Sequence, residues 1–307
     1  MSNSVFEYPR AEEAHRALAV DPAVVLVPIG LFVAVVATAA PNGSYFPSSW
    51  GWSSLAFLWA AAVGLLVQRR VAFGALDVAY LGAWLALFVW TAASLLWSST
   101  TTQTMYEVER TLVYVSFALA LAVLGRRSLP LLLPALLAGI VAVAAYALAT
   151  RLLPDRVGTF NSFAGYRLAD PLGYWNAVSI FAVIGIAVAV GMAARGSGIV
   201  LRSLSAASLV LLVPVLYFTF GRGGWFALAG ALAVTIAVDP RRLQLVTTMF
   251  VVAPWPALAV WRAYESPSLT TQFSQLGSAS HEGGRLALTI AVLGAVSAAV
   301  MACFTVL

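Results

Sequence analysis

The chain has 307 residues, 62% of them hydrophobic and only 9% charged, with a formal net charge of +5. A soluble domain carries roughly a quarter charged residues, so the composition excludes an ordinary water-soluble fold and points to a bilayer. The positive charge is scattered over loops rather than gathered into a stripe, which gives no nucleic-acid surface. All 17 basic residues are arginine, and with so much Ala, Leu and Val this suggests a GC-rich genome. Cys303 is the single cysteine, so no internal disulfide can form.

Residues 1–22 mix Glu7, Glu12 and Glu13 with Arg10 and Arg16. No convincing small-residue cleavage site follows the first apolar run, so this segment reads as a cytoplasmic tail and not a signal peptide. Apolar stretches then predict about ten helices, near 23–40, 52–67, 75–97, 110–124, 129–150, 174–193, 203–220, 223–238, 244–261 and 285–307. Together they form one transmembrane domain over 23–307, an all-α polytopic transmembrane helix bundle. Ala and Gly abound in them, and small residues let helix backbones approach closely in lipid. Pro28, Pro134, Pro214 and Pro254 fall inside spans, where kinks are tolerated if neighbours satisfy the freed carbonyls.

Arginines set the orientation. Arg69–Arg70, Arg126–Arg127, Arg195 with Arg202, and Arg241–Arg242 occupy alternate loops, on the side of the N-terminal tail. The positive-inside rule places that side in the cytoplasm. Ten arginines then lie inside and seven outside. The first outer loop, PNGSYFPSSWGW (41–52), is uncharged and aromatic, as an interface should be. The seven outward arginines are Arg110, Arg151, Arg156, Arg167, Arg222, Arg262 and Arg285. Two readings stand for several of them. They are local surface pairs, as in Glu109–Arg110, Asp155–Arg156 and Arg167 with Asp170, which contribute little; or they form a cationic pocket for an anionic group, for which the planar guanidinium fork suits phosphate.

Arg222 admits only the second reading. It lies in FTFGRGGWFALAG, at the tip of a hairpin between apolar runs 204–220 and 223–238, and no acidic residue occurs between Asp170 and Asp239. An ionisable residue at the membrane boundary without a local counter-ion is a functional-site hypothesis by default. A second motif, YRLADPLGYWNA, closes the longest outer loop (151–173). It joins Arg167, a Pro171–Gly173 turn, the interfacial aromatics Tyr174 and Trp175, and Asn176.

RLADPLGYWNA followed some fifty residues later by FTFGRGGWFALA resembles the O-antigen ligase/polymerase superfamily of polytopic glycosyltransferases. WSSTTTQTMYEVERTLVY (97–114) is similar to that superfamily's Trp-Ser…Arg-Thr-Leu-x-Tyr stretch, so the resemblance covers residues 90–285. Gly221 stands where the superfamily has a serine, so a hydroxyl is missing beside Arg222. The resemblance implies a GT-C-like bundle in a bacterial plasma membrane that moves a glycan from undecaprenyl pyrophosphate to an acceptor hydroxyl on the outer side. It implies that Arg222, Arg167, Arg110 and Arg151 bind the pyrophosphate. Tyr174, Trp175, Asn176 and Trp225 would line the pocket. No cofactor or metal is implied, and no metal-ligand cluster is legible. The superfamily places its base, a histidine, in a large outer loop. His15 and His281 fall on opposite sides of the membrane, so His281, with Glu282 beside it in SHEGGRLALT, is the candidate. The sequence stops at Leu307 in an apolar run where superfamily members continue, and the expectation is a truncated, divergent or inactive member. Two other classes stand beside the enzyme: a transporter of a lipid-linked glycan or small anion, and a non-catalytic membrane assembly subunit.

Overall fold

The computed structural model describes residues 22–67, 73–158 and 167–306. The expected cytoplasmic tail, Arg69–Arg70 and positions 159–166 of the long loop lie outside the described residues, and the side chains of Arg126 and Arg127 lie outside them as well. The described chain is all helix: α1 Pro22–Ala39, α2 Pro47–Val67, α3 Ala75–Ala93, α4 Thr101–Leu124, α5 Leu129–Leu152, α6 Trp175–Arg195, α7 Ile199–Phe218, α8 Arg222–Val238, α9 Arg242–Val252, α10 Pro254–Tyr264, α11 Pro267–Thr270 and α12 Leu276–Val306. Short 3-10 turns cover Asn42–Ser44, Ser94–Leu96 and Gly125–Ser128.

Seven segments are long and apolar enough to cross a membrane: Pro47–Val67, Ala75–Leu96, Leu129–Leu152, Trp175–Arg195, Ile199–Phe218, Arg242–Tyr264 and Leu276–Val306. The other three expected spans differ for physical reasons. The apolar stretches Val25–Ala39 and Arg222–Val238 are shorter, and α4 carries Glu107, Glu109 and Arg110 in its first half. Large apolar side chains face outward all round, among them Leu66, Leu76, Trp90 and Phe226. Such a surface is stable only against lipid. This is a multi-pass membrane protein.

α7 is the axis of the core. Leu209, Val210, Leu212, Leu216 and Phe218 are almost fully enclosed by α5, α6, α10 and α12. Apolar helices gain no hydrophobic drive from meeting in lipid, so close packing and interhelical hydrogen bonds hold them. Ser297 of α12 donates to the Ala206 carbonyl of α7 at 3.1 Å. A side chain on Gly283 of α12 would overlap the Leu152 carbonyl. α1 packs on α5, α2 on α4 and α3 on α4. α3 is peripheral and buries no residue.

Several boundaries depart from expectation. α4 begins at Thr101, not near 110, and α12 at Leu276, not near 285. His281, Glu282 and Arg285 therefore lie within a helix and not in an outer loop. The span expected at 244–261 is two helices, since Pro254 takes the first position of α10 and lacks the amide that would continue α9.

The helix termini alternate between two ends. At one end, Arg195 pairs with Asp239. There too Arg202 Nε donates to Ala193 O at 2.8 Å and Gln244 to Ala194 O at 3.1 Å. At the other end lie the 42–44 turn, the 167–176 segment, the α7–α8 turn and α11. Gly283 and Gly284 offer a matched test of the α5–α12 contact. Gly284 has open space where a Cβ would be, so Gly284→Ala should gain about 0.5–1 kcal/mol of helix stability. Gly283→Ala should lose about 1–3 kcal/mol by overpacking. Thermal unfolding in detergent separates the two.

Candidate functional site

Both sequence motifs meet at the second end, and backbone contacts hold them there. The Leu168 amide donates to Phe218 O at 2.9 Å, which ties the segment after Arg167 to the last turn of α7. A cis peptide joins Asp170 to Pro171. Gly173 has φ +75 and lies against Asn42, whose Oδ1 would be 3.0 Å from any Cβ there. Only glycine meets both conditions. α6 then starts at Trp175, and Asn176 donates from Nδ2 to the Tyr174 hydroxyl at 2.6 Å.

The α7–α8 hairpin turns within Thr219–Gly221. Phe220 takes a left-handed backbone (φ 49), and Thr219 Oγ1 bridges the turn by donating to Leu216 O at 2.7 Å and accepting from the Gly221 amide at 3.3 Å. α8 seats on α6 through glycines. A Cβ on Gly221 would lie 3.4 Å from Asn176 Oδ1 and 3.5 Å from Ser179 Oγ, and a Cβ on Gly224 would overlap Ser179. The glycines of GRGGW thus let the Arg222 turn lie directly on the Asn176 face.

Arg222 is exposed at the first position of α8 and makes no hydrogen bond or ion pair among the described residues. Trp225, 41% exposed, follows one turn on. Neither α6 nor α8 has a side-chain cap, so their first amides and the positive ends of their dipoles add to the same patch.

The remaining candidates are disposed differently. Arg167 lies over the Trp175 ring at 5.1 Å, and no ion pair joins it to Asp170. Arg151 reaches Leu269 O and lies over the Phe218 ring at 5.7 Å. Its guanidinium is a strut beneath the hairpin. Arg110 pairs with Glu107, at 3.1 Å, and not with Glu109; residues three apart share a helix face and adjacent ones do not. It also stacks on Trp50 at 4.8 Å. Arg156–Asp155 and Arg262–Glu265 are the further surface pairs among the described residues, at 3.6 and 3.1 Å. The Ser280 hydroxyl, more than Arg156, holds the Asp155 carboxyl below its ordinary value. That contact is therefore complete at neutral pH and is lost only as pH falls through the lowered value. Glu282 accepts from the Ser268 amide at 2.9 Å, while His281 is exposed one residue before it.

One residue went unnoticed in the sequence. Ser179 is 1% exposed and its Oγ has no hydrogen-bond partner among the described residues. It lies beside the position where a Gly221 side chain would be, so a hydroxyl reaches that place from α6. Its signal was its spacing, three residues after Asn176 and hence on the same face. No family model, curated protein or solved structure matches this chain.

The α6–α8 seat makes a prediction. Gly224→Ala should cost about 1–3 kcal/mol, and Ser179→Gly in that background should restore part of the loss. Thermal unfolding of the double-mutant cycle measures the coupling; strictly additive losses would show that the two positions do not touch.

Proposed function

We propose that this chain is a membrane glycosyltransferase of the O-antigen ligase/polymerase type, moving a glycan from undecaprenyl pyrophosphate to an acceptor hydroxyl on the outer side of the membrane. One observation carries the reading: Arg222 is uncompensated among the described residues at the start of α8, beside glycines that lie against Asn176 and Ser179. In this reading α1, α4 and α8 also cross, giving ten spans in a GT-C-like bundle. The end bearing Arg195, Arg202, Arg241 and Arg242 faces the cytoplasm of a bacterium.

The donor's pyrophosphate lies at headgroup level against Arg222 and Arg167, with the uncapped helix starts of α6 and α8 behind it. As the acceptor oxygen bonds to the anomeric carbon, the C–O bond to the donor breaks and its electron pair moves to the pyrophosphate oxygen. Fixed guanidinium groups in a site poor in water stabilise that growing charge. Trp175 holds Arg167 in place from below, and Arg151 braces the turn. Tyr174 and Trp225 flank the opening. Glu282 is held by a backbone amide, which leaves the exposed His281 to take the acceptor's proton.

Transfer from a lipid-linked glycan in isolated membranes tests this. Arg222→Lys keeps the charge but loses the planar fork, and it and Arg167→Ala should each slow transfer by about 100-fold or more with expression unchanged. Normal transfer by both variants overturns the proposal.

A further inference from the structure

The end where Arg195 and Arg202 fasten helices together leaves two arginines out of that work. Arg241 and Arg242 stand side by side in the α8–α9 turn, both exposed, and neither side chain makes a hydrogen bond or ion pair among the described residues. Asp239 is the only acidic residue between Asp170 and Glu265, and it is already taken. Its Oδ1 receives the Arg195 guanidinium and, at 2.7 Å, the Arg241 amide, and its side chain is 14% exposed. The first turn of α9 holds no acidic residue, and a cation at a helix start meets a dipole of its own sign. Two like charges are thus adjacent with nothing among the described residues to offset them.

The turn itself is fixed. Gln244 donates to Ala194 O at 3.1 Å and Leu245 is buried, which holds the start of α9 to the end of α6. Apolar side chains flank the doublet on its outer surface. Val238, the last residue of α8, is 76% exposed, and Leu243 is 81% exposed. The apolar helix α8 ends at Val238, and Arg242 opens a segment long and apolar enough to cross a membrane. The doublet therefore lies where hydrocarbon gives way to headgroups, and Val238 and Leu243 belong to the acyl side of that boundary.

Two guanidinium groups beside exposed aliphatic side chains complement an amphiphile with an anionic head. The planar forks suit a phosphate, and surface arginines draw lipids of net negative charge. A zwitterionic headgroup brings its own cation to offset its phosphate. An acidic segment of a soluble protein would match the charge and leave Val238 and Leu243 bare. We infer that the α8–α9 turn binds an anionic phospholipid of the surrounding bilayer, with Arg241 and Arg242 on its phosphate and Val238 and Leu243 against its acyl chains. The lipid supplies the counter-charge that Asp239, held by Arg195, does not. This lipid is a neighbour of the chain and not a reactant, so the inference does not rest on the transfer reading.

The test uses the full chain in phosphatidylcholine nanodiscs doped with phosphatidylglycerol or phosphatidylcholine that carries a photoactivatable group on one acyl chain. Label from phosphatidylglycerol should map to Val238 and Leu243 and exceed that from phosphatidylcholine about tenfold or more. Arg241→Gln and Arg242→Gln should each lower it about fivefold, and the double variant should bring it to the phosphatidylcholine level. Both side chains are exposed and unbonded among the described residues, so the fold does not depend on them. Arg156→Gln removes the same charge from the opposite end and should leave labelling at the turn unchanged. Equal labelling by the two lipids, labelling unmoved in the double variant, an equal loss in Arg156→Gln, or an acidic protein cross-linked at the turn in place of lipid would each overturn the inference. Preferential labelling by phosphatidylglycerol in a chain that transfers no glycan would sustain the inference and overturn the transfer reading.

Discussion

Gly224 lies so close to Ser179 that no side chain fits between them, and this contact sets the geometry of everything above it. With α8 seated on α6, the three residues of the α7–α8 turn have one place to go. Gly221 then lies on Asn176, and Arg222 follows it at the start of α8. In a bilayer the contact cannot rely on hydrophobic drive, because acyl chains are as apolar as the helices. It relies on surface fit, and a single methyl group is enough to spoil that fit.

The two ends of the molecule treat charge in opposite ways. At one, Arg195 is spent on Asp239 and Arg202 on a backbone carbonyl, so the arginines fasten helices together. At the other, Arg110 is half engaged, Arg167 is stacked on an indole, and Arg222 is unengaged among the described residues. An exposed guanidinium keeps its hydration, so leaving it open costs little. The same reasoning gives Arg151 its place as a brace, since its guanidinium is occupied by Leu269 and Phe218.

Much of this was legible from residue order. The apolar runs gave the helices, the hairpin around Arg222 lies where its flanking runs end, and α6 starts at the interfacial Trp175. The failures came from polar helix starts. Thr101–Glu109 and Leu276–Gly284 read as loops because few of their residues are apolar, yet the second is held by tertiary contacts: Glu282 with the Ser268 amide and Gly283 on Leu152. Choosing Glu109 over Glu107 as the partner of Arg110 followed from missing that α4 already turns there. Ser179 was invisible for another reason. A serine in an apolar helix acquires meaning only from the neighbour it faces, and the neighbour comes from α8.

The length of α12 has a consequence for the bilayer around it. Its 31 residues extend about 46 Å, well beyond a hydrocarbon layer of about 30 Å. The surplus turns, with α11 folded against them, raise a polar parapet on that flank. A bilayer of that thickness must thicken beside α12 or leave those turns standing in its headgroup layer.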